Sequence, residues 1–116
     1  MLLRLIPNIF YADIKVGLDL FVRYLGFEVF HQDASIYVLA RDGAKVYLME
    51  NADLAAMDRP ELAIETDDIA GIYTEIQTRA PEILHPNSNT VQRKPWGAQE
   101  FAALHCITVC VVSRQW

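Results

Sequence analysis

The sequence predicts an α+β protein made of two βαβββ units whose sheets form a cup. Three observations carry this. First, Ile6–His31 reads as strand, helix, strand, and a weaker copy returns at Glu61–His85. Second, Asp13-Ile14 is echoed by Asp68-Ile69, an offset of 55, and Glu28–His31 by Glu82–His85, an offset of 54. Repetition at about half the chain length marks two copies of one supersecondary unit. Third, 53% of the 116 residues are hydrophobic, enough to bury a core in one compact domain.

Leu3–Tyr11 reads as the first strand, rich in β-branched and aromatic residues, with Pro7 marking an edge or a bulge. Asp13 is placed as an N-cap. Ile14, Leu18, Phe21, Val22 and Leu25 follow at helical spacing, and Gly26 ends the helix. Phe27–Gln32 is the next strand, and a turn at Asp33-Ala34 leads into Ser35–Arg41. Asp42-Gly43 suggests a type I′ hairpin turn returning through Ala44–Glu50. The first unit is thus about residues 1–50. Residues 51–60 form an alanine-rich linker with room for one helical turn.

The second unit, residues 61–116, opens with strand Glu61–Thr66. Asp67-Asp68 caps a helix with Ile69, Ile72, Tyr73, Ile76 and Ala80 on one face, and Pro81 stops it. A short strand Glu82–Leu84 follows, then a long irregular stretch, His85–Gly97, of the kind that usually carries function. A hairpin of Ala98–Leu104 and Thr108–Arg114 closes the unit. Each sheet is covered on one face by one helix, so its other face needs a partner; two such faces line the expected cup.

Composition narrows the function. The net charge of −5 with scattered basic residues disfavours nucleic acid and anionic membranes. No apolar run is long enough to span a bilayer, and Met1–Ile6 lacks the apolar region and cleavage site of a signal peptide. Cys106 and Cys110, four apart on an expected strand, would have Cα atoms about 13 Å apart, beyond disulfide reach. A cytoplasmic location is expected. No Gly-rich phosphate loop, Gly-x-Ser-x-Gly elbow or Cys-x-x-Cys pair occurs.

Ala12-Asp13-Ile14, Leu25–Val29 and Thr66–Ile69, together with Lys94–Phe101 (KPWGAQEF), resemble the vicinal oxygen chelate superfamily. That group includes glyoxalase I, bleomycin and fosfomycin resistance proteins, and extradiol dioxygenases. The resemblance covers nearly the whole chain and implies a small-molecule site in the cup, commonly within a homodimer. Enzymatic members hold a divalent metal there. Carried over, the four ligand positions fall on Ile6, Glu50, Glu61 and near Val112. Two are aliphatic, whereas a catalytic metal normally needs three protein ligands. If a metal is bound, Glu50 and Glu61 are its candidate ligands; otherwise no cofactor is expected.

Alternation turns Asn8, Phe10, Ala63 and Glu65 toward the cup and Ile9, Tyr11, Leu62 and Ile64 toward the core. Asn8, Phe10, Glu50, Glu61, Trp96 and Phe101 are the candidate ligand-binding residues. Aromatic side chains anchor planar ligands, although they also fill cores. Glu50 and Glu61 read equally as surface carboxylates at strand ends, and His31 and His85 as a repeat-related pair near solvent. Arg93 and Lys94, beside Trp96, suit an anionic group or plain solvent. His105 with Cys106 and Cys110 looks like a soft-metal cluster, except that strand alternation turns His105 away from both thiols.

Two functions follow. One is a metal-independent binding protein, similar to bleomycin resistance proteins, that sequesters a partly aromatic molecule such as a drug. The other is a metal-dependent lyase or dioxygenase similar to glyoxalase I.

Overall fold

A computed structural model describes residues 1, 3–57, 61–106 and 109–116. The chain divides into two compact units, Met1–Asp58 and Arg59–Trp116. Each carries a four-stranded mixed sheet.

In the first unit β1 (Asn8–Tyr11) leads into α1 (Ile14–Leu18), whose last turns widen to a π-helix over Asp19–Tyr24. Then come β2 (Glu28–Gln32), β3 (Tyr37–Arg41), β4 (Ala44–Glu50) and the short α2 (Ala52–Met57). The sheet order is β1-β4-β3-β2, with β1 parallel to β4 and the other pairs antiparallel. In the second unit β5 (Glu61–Glu65), α3 (Ile69–Arg79), β6 (Gln92–Arg93), β7 (Gln99–Leu104) and β8 (Cys110–Gln115) give the order β5-β8-β7-β6. Again the first and last strands pair in parallel.

The expected first strand shortens to β1. The Pro7 carbonyl still accepts from the Tyr47 N–H at 3.0 Å. With Asn8 opposite Tyr47, Leu3 and Arg4 fall beyond Ala44, where β4 begins, so they have no ladder to join. Asp13 caps as expected, its carboxylate accepting from the Lys15 N–H at 3.0 Å, and Gly26 takes φ 75° at the helix end. The π turn shifts the helical face. Gly17, Leu20, Phe21 and Leu25 are the buried positions, in place of the expected Ile14, Leu18 and Val22. Gly17 lies under the Tyr11 ring, and a methyl group there would come within 2.5 Å of its Cε2.

Asp33 accepts from the Ser35 and Ile36 N–H groups, which holds 33–36 in a turn and starts β3 at Tyr37. At the β3–β4 hairpin only Asp42 has positive φ, 51°. A type I′ turn would need it at Gly43 as well, so that expectation is corrected. The Asn51 side chain accepts from the Leu54 N–H at 3.0 Å and starts α2 within the linker; residues 58–60 lie outside the described ones.

In the second unit Asp68 accepts from the Gly71 N–H at 3.0 Å and starts α3. The expected strand Glu82–Leu84 is instead a 3₁₀ turn over Pro81–Ile83, because Pro81 fixes a helical φ and Ile83 tucks into the core. Only Leu84 bridges to β7, opposite Ala103. The fourth strand is β6, inside the stretch expected to be irregular. It forms because Lys94–Gly97 closes a tight hairpin, with Gly97 at φ 98° and its N–H donating to the Lys94 carbonyl at 2.9 Å. The last hairpin begins at Gln99 and ends at Gln115. His105 and Cys106 sit in its turn rather than on a strand, so the alternation argument for them does not apply. Ile107 and Thr108 lie outside the described residues.

One contact recurs in both units. The end of the last strand caps the helix: Glu50 Oε2 accepts from the Ile14 N–H at 3.0 Å, and Gln115 Oε1 from the Ile69 N–H at 2.8 Å. These are donors that a helix start leaves unpaired. Because a neutral amide does this work in one unit, Glu50→Gln is expected to leave stability nearly unchanged. Glu50→Ala should cost about 1 kcal/mol, the usual effect of losing a cap, measured by urea unfolding.

Candidate functional site

The capping contacts decide which side of each sheet faces its helix. In the first unit Ile9, Tyr11, Leu39, Val46 and Leu48 are buried, and Glu50 shares their side by alternation. The opposite, open face carries Asn8, Phe10, Val38, Lys45, Tyr47 and Met49. Asn8 Nδ2 donates to Met49 Sδ at 3.2 Å, and Phe10 lies opposite Met49 across the β1–β4 ladder. Asn8 and Phe10 thus fall on the face expected of them. At the far edge the β2 bulge turns out Phe30, with the Lys45 ammonium 5.7 Å from its ring centroid.

In the second unit Phe101 is fully buried and packs edge-on against Tyr73 of α3, ring centroids 5.1 Å apart. This corrects its assignment as a ligand contact: Phe101 belongs to the core between sheet and helix. Its ladder partner Ser113 and that residue's neighbour Ile64 share the helix side. The open face therefore carries a continuous cross-strand row, Glu65–Arg114–Glu100–Gln92, spanning β5, β8, β7 and β6.

This row is wired together. Glu100 is buried, and its Oε2 accepts from Arg114 Nε at 2.8 Å and from the Trp96 indole N–H at 2.7 Å. The Trp116 indole N–H donates to Glu65, and the Arg114 guanidinium carbon lies 5.8 Å from the Trp116 ring centroid. Trp96 and Trp116 remain more than half exposed, each tethered by its N–H to a carboxylate; Trp116 lies against Arg114 and Trp96 shares its Glu100 partner. Burial pushes the Glu100 carboxyl up, but the hydrogen bonds from Arg114 and Trp96 outweigh it, aided by the charges of Arg114 and Lys94. The group is held below its ordinary value.

Glu61 is exposed at the start of β5, opposite Cys110 on the open face. Burial and the Glu61 charge push the Cys110 thiol up. Arg93 is exposed on β6. His31 pairs with Asp33 at 2.9 Å, and that contact heads the causes that lower the Asp33 carboxyl. His85 Nδ1 accepts from the Asn87 N–H at 3.1 Å. Both cysteines are free thiols, and Cys106 Sγ lies 3.8 Å from each ring nitrogen of His105.

The metal positions do not supply a donor set. Glu50 lies on the helix side, engaged with the Ile14 amide; Ile6 and Val112 have no donor; Glu61 alone remains. Among the described residues no group of three or more His, Cys, Asp or Glu side chains is arranged to hold an ion. Nor, among them, is any helix long and apolar enough to cross a membrane.

Sequence reasoning singled out Trp96 and the cup-facing Glu65 but missed the Glu100–Arg114 pair that holds the site together. Their pairing follows from the observed hairpin register, which sets Glu100 opposite Arg114 and which the expected strand bounds do not give.

No family model matches the chain, and no curated protein matches it. Solved structures do. A bleomycin-binding protein complexed with bleomycin superposes with a TM-score of 0.81 at 18% identity, covering 97% of this chain and 98% of the other. The bleomycin resistance determinant encoded on transposon Tn5 gives 0.78 at 18%, covering 97% and 96%. A glyoxalase/bleomycin resistance protein/dioxygenase from Nocardioides gives 0.73 at 13%, covering 100% and 86%. The chain has the vicinal oxygen chelate fold. The expected fold class of two βαβββ units is therefore correct, with the strand boundaries revised as above.

The wiring of Glu100 sets a pH dependence. Its lowered value in the folded state means that its contribution is complete above the ordinary glutamate value, about 4.3, and is lost as pH falls through the folded one. Urea unfolding between pH 7 and 3 is expected to show a stability loss that is shallower in Glu100→Gln. At pH 7 that variant should be less stable by about 1–3 kcal/mol, because Arg114 loses its charged partner. Equal slopes in the two proteins would refute this role.

Proposed function

We propose that this protein is a metal-independent small-molecule binding protein that takes up a partly aromatic ligand, in the manner of drug sequestration. The observation that carries the reading is the pair of exposed indoles, Trp96 and Trp116, held over the open face of the second sheet by the Glu65–Arg114–Glu100 row. Indoles fixed by their N–H groups offer large planar contact area at little entropic cost. Asn8, Phe10 and Met49 give the first sheet a separate apolar and thioether surface suited to the same ligand class. Among the similar folds, two are bleomycin-binding proteins crystallised with bleomycin or copper(II)-bleomycin, the latter from Streptomyces verticillus. Metal independence is supported by the use of Glu50 as a helix cap and by the aliphatic residues at two of the remaining ligand positions.

Bleomycin is the first compound to titrate, in the presence of a chelator, with tryptophan fluorescence as the readout. Saturable quenching is expected, reduced severalfold in Trp96→Phe and Trp116→Phe with the fold intact by circular dichroism. Binding that appears only after loading with nickel, manganese or zinc would transfer the assignment to a metal-dependent lyase or dioxygenase.

We also propose that the working form is a symmetric homodimer acting in the cytoplasm. Exposed Val29 and Phe30 on the unpaired edge strand β2, with exposed Leu3 and Leu5 ahead of β1 at the other edge, favour burial against a second copy, and the free thiols suit a reducing compartment. Sedimentation equilibrium should give twice the chain mass, shifting toward the monomer in Phe30→Asp.

A further inference from the structure

The partly exposed guanidinium of Arg114 names the ligand more closely. Arg114 lies toward the end of β8, an inner strand, on the open face of the second sheet, its side chain 25% exposed. Two contacts fix its plane: Nε donates to Glu100 at 2.8 Å, and the ring of Trp116 lies beside it. A guanidinium carries five N–H donors, and Nε uses one. The remaining four belong to Nη1 and Nη2, and no described residue accepts a hydrogen bond from either. The carboxylate that holds Arg114 is itself occupied at Oε2 by Trp96. The carboxylates tethering the two indoles are rooted on β7 and β5 with β8 between, two strand spacings or about 10 Å apart. A planar group laid against these indoles would have the Nη1 and Nη2 edge of the guanidinium within reach.

We infer that the second sheet binds an aromatic carboxylate, its ring against Trp96 and Trp116 and its carboxylate bidentate on Nη1 and Nη2 of Arg114. This rests on the binding-protein reading and adds the ligand's charge and the residue that reads it. Fork-to-fork pairing with a carboxylate is the geometry for which arginine is built and lysine is not. Local charge does not oppose it: Arg114 and Lys94 balance Glu100 and Glu65, although the whole chain is acidic. Contact at hydrogen-bond distance outweighs repulsion from Glu65, one strand spacing away, because Coulomb energy falls with separation.

The test uses three probes of one shape, naphthalene-2-carboxylate, naphthalene-2-carboxamide and 2-naphthylmethylammonium, titrated calorimetrically into the full chain at low salt. The carboxylate should bind at least tenfold tighter than either of the others. In Arg114→Lys, which keeps a cation beside Glu100, the carboxylate should lose about tenfold more affinity than the amide does; circular dichroism and Tm report whether that variant folds. The probe series on the unaltered protein decides the matter even if the variant does not fold. Equal affinity for carboxylate and amide, or tightest binding of the ammonium, overturns the assignment while leaving the aromatic binding reading intact. Silence from all three overturns it too, and silence from bleomycin as well removes the binding-protein reading.

Discussion

The contact on which the site is built is the capping of each unit's helix by the end of its last strand. A helix start has N–H groups with no partner inside the helix. In this fold the first helical amide is met by a side chain four strand residues or more from any turn, Glu50 in one unit and Gln115 in the other. Such a contact locks the parallel ladder between first and last strands to a single register. Slippage by one residue would turn every side chain to the opposite face. Glu50 on the helix side leaves Met49 and Tyr47 on the open face, and Gln115 on the helix side leaves Arg114 and Val112 there. The surface chemistry is thus a consequence of where two polar side chains must point to satisfy two backbone amides.

The same constraint engages the acid at position 50, whose Oε2 is committed to the start of the first helix. What remains on the second open face is a salt bridge whose acid is buried. Removing a carboxylate from water is costly unless it is paired and hydrogen-bonded. Glu100 has both a guanidinium and an indole N–H. The depression of its pKa, despite burial, shows that the partners win. A buried ion pair contributes little net stability compared with apolar packing, but it fixes orientation well. Here it fixes the Arg114 plane and the Trp96 ring.

Much of the fold was legible because backbone chemistry writes it plainly. The capping aspartates 13 and 68, Gly26 at positive φ and the 55-residue repeat all name local conformations that few residues satisfy. The failures have equally physical origins. The π turn in the first helix moved Leu20 into the core, and no periodicity rule anticipates an extra residue per turn. The segment after Pro81 had strand composition, but the proline imposed a helical φ first. The site was legible only in part. Asn8 and Phe10 follow from alternation along one strand. Phe101 was misplaced because no alternation was counted along its strand. Glu100 and Arg114 are far apart in sequence and meet only through the hairpin's register, which the unusual His105-Cys106 turn obscured.

The two units share backbone solutions and differ in what they place on the open face. Equivalent ladder pairs make this concrete: Phe10 opposite Met49 in the first unit corresponds to Glu65 opposite Arg114 in the second. Asn8 opposite Tyr47 corresponds to Ala63 opposite Val112. The helix sides keep most of their apolar packing, with Val46 and Val111 buried alike, although Ser113 is buried where the first unit has Leu48. Divergence has therefore gathered where packing does not constrain it. One face became apolar and polarisable, the other charged and aromatic. Ladder positions that correspond across the two copies therefore carry different chemistry, Phe10–Met49 against Glu65–Arg114, on backbones that pair alike.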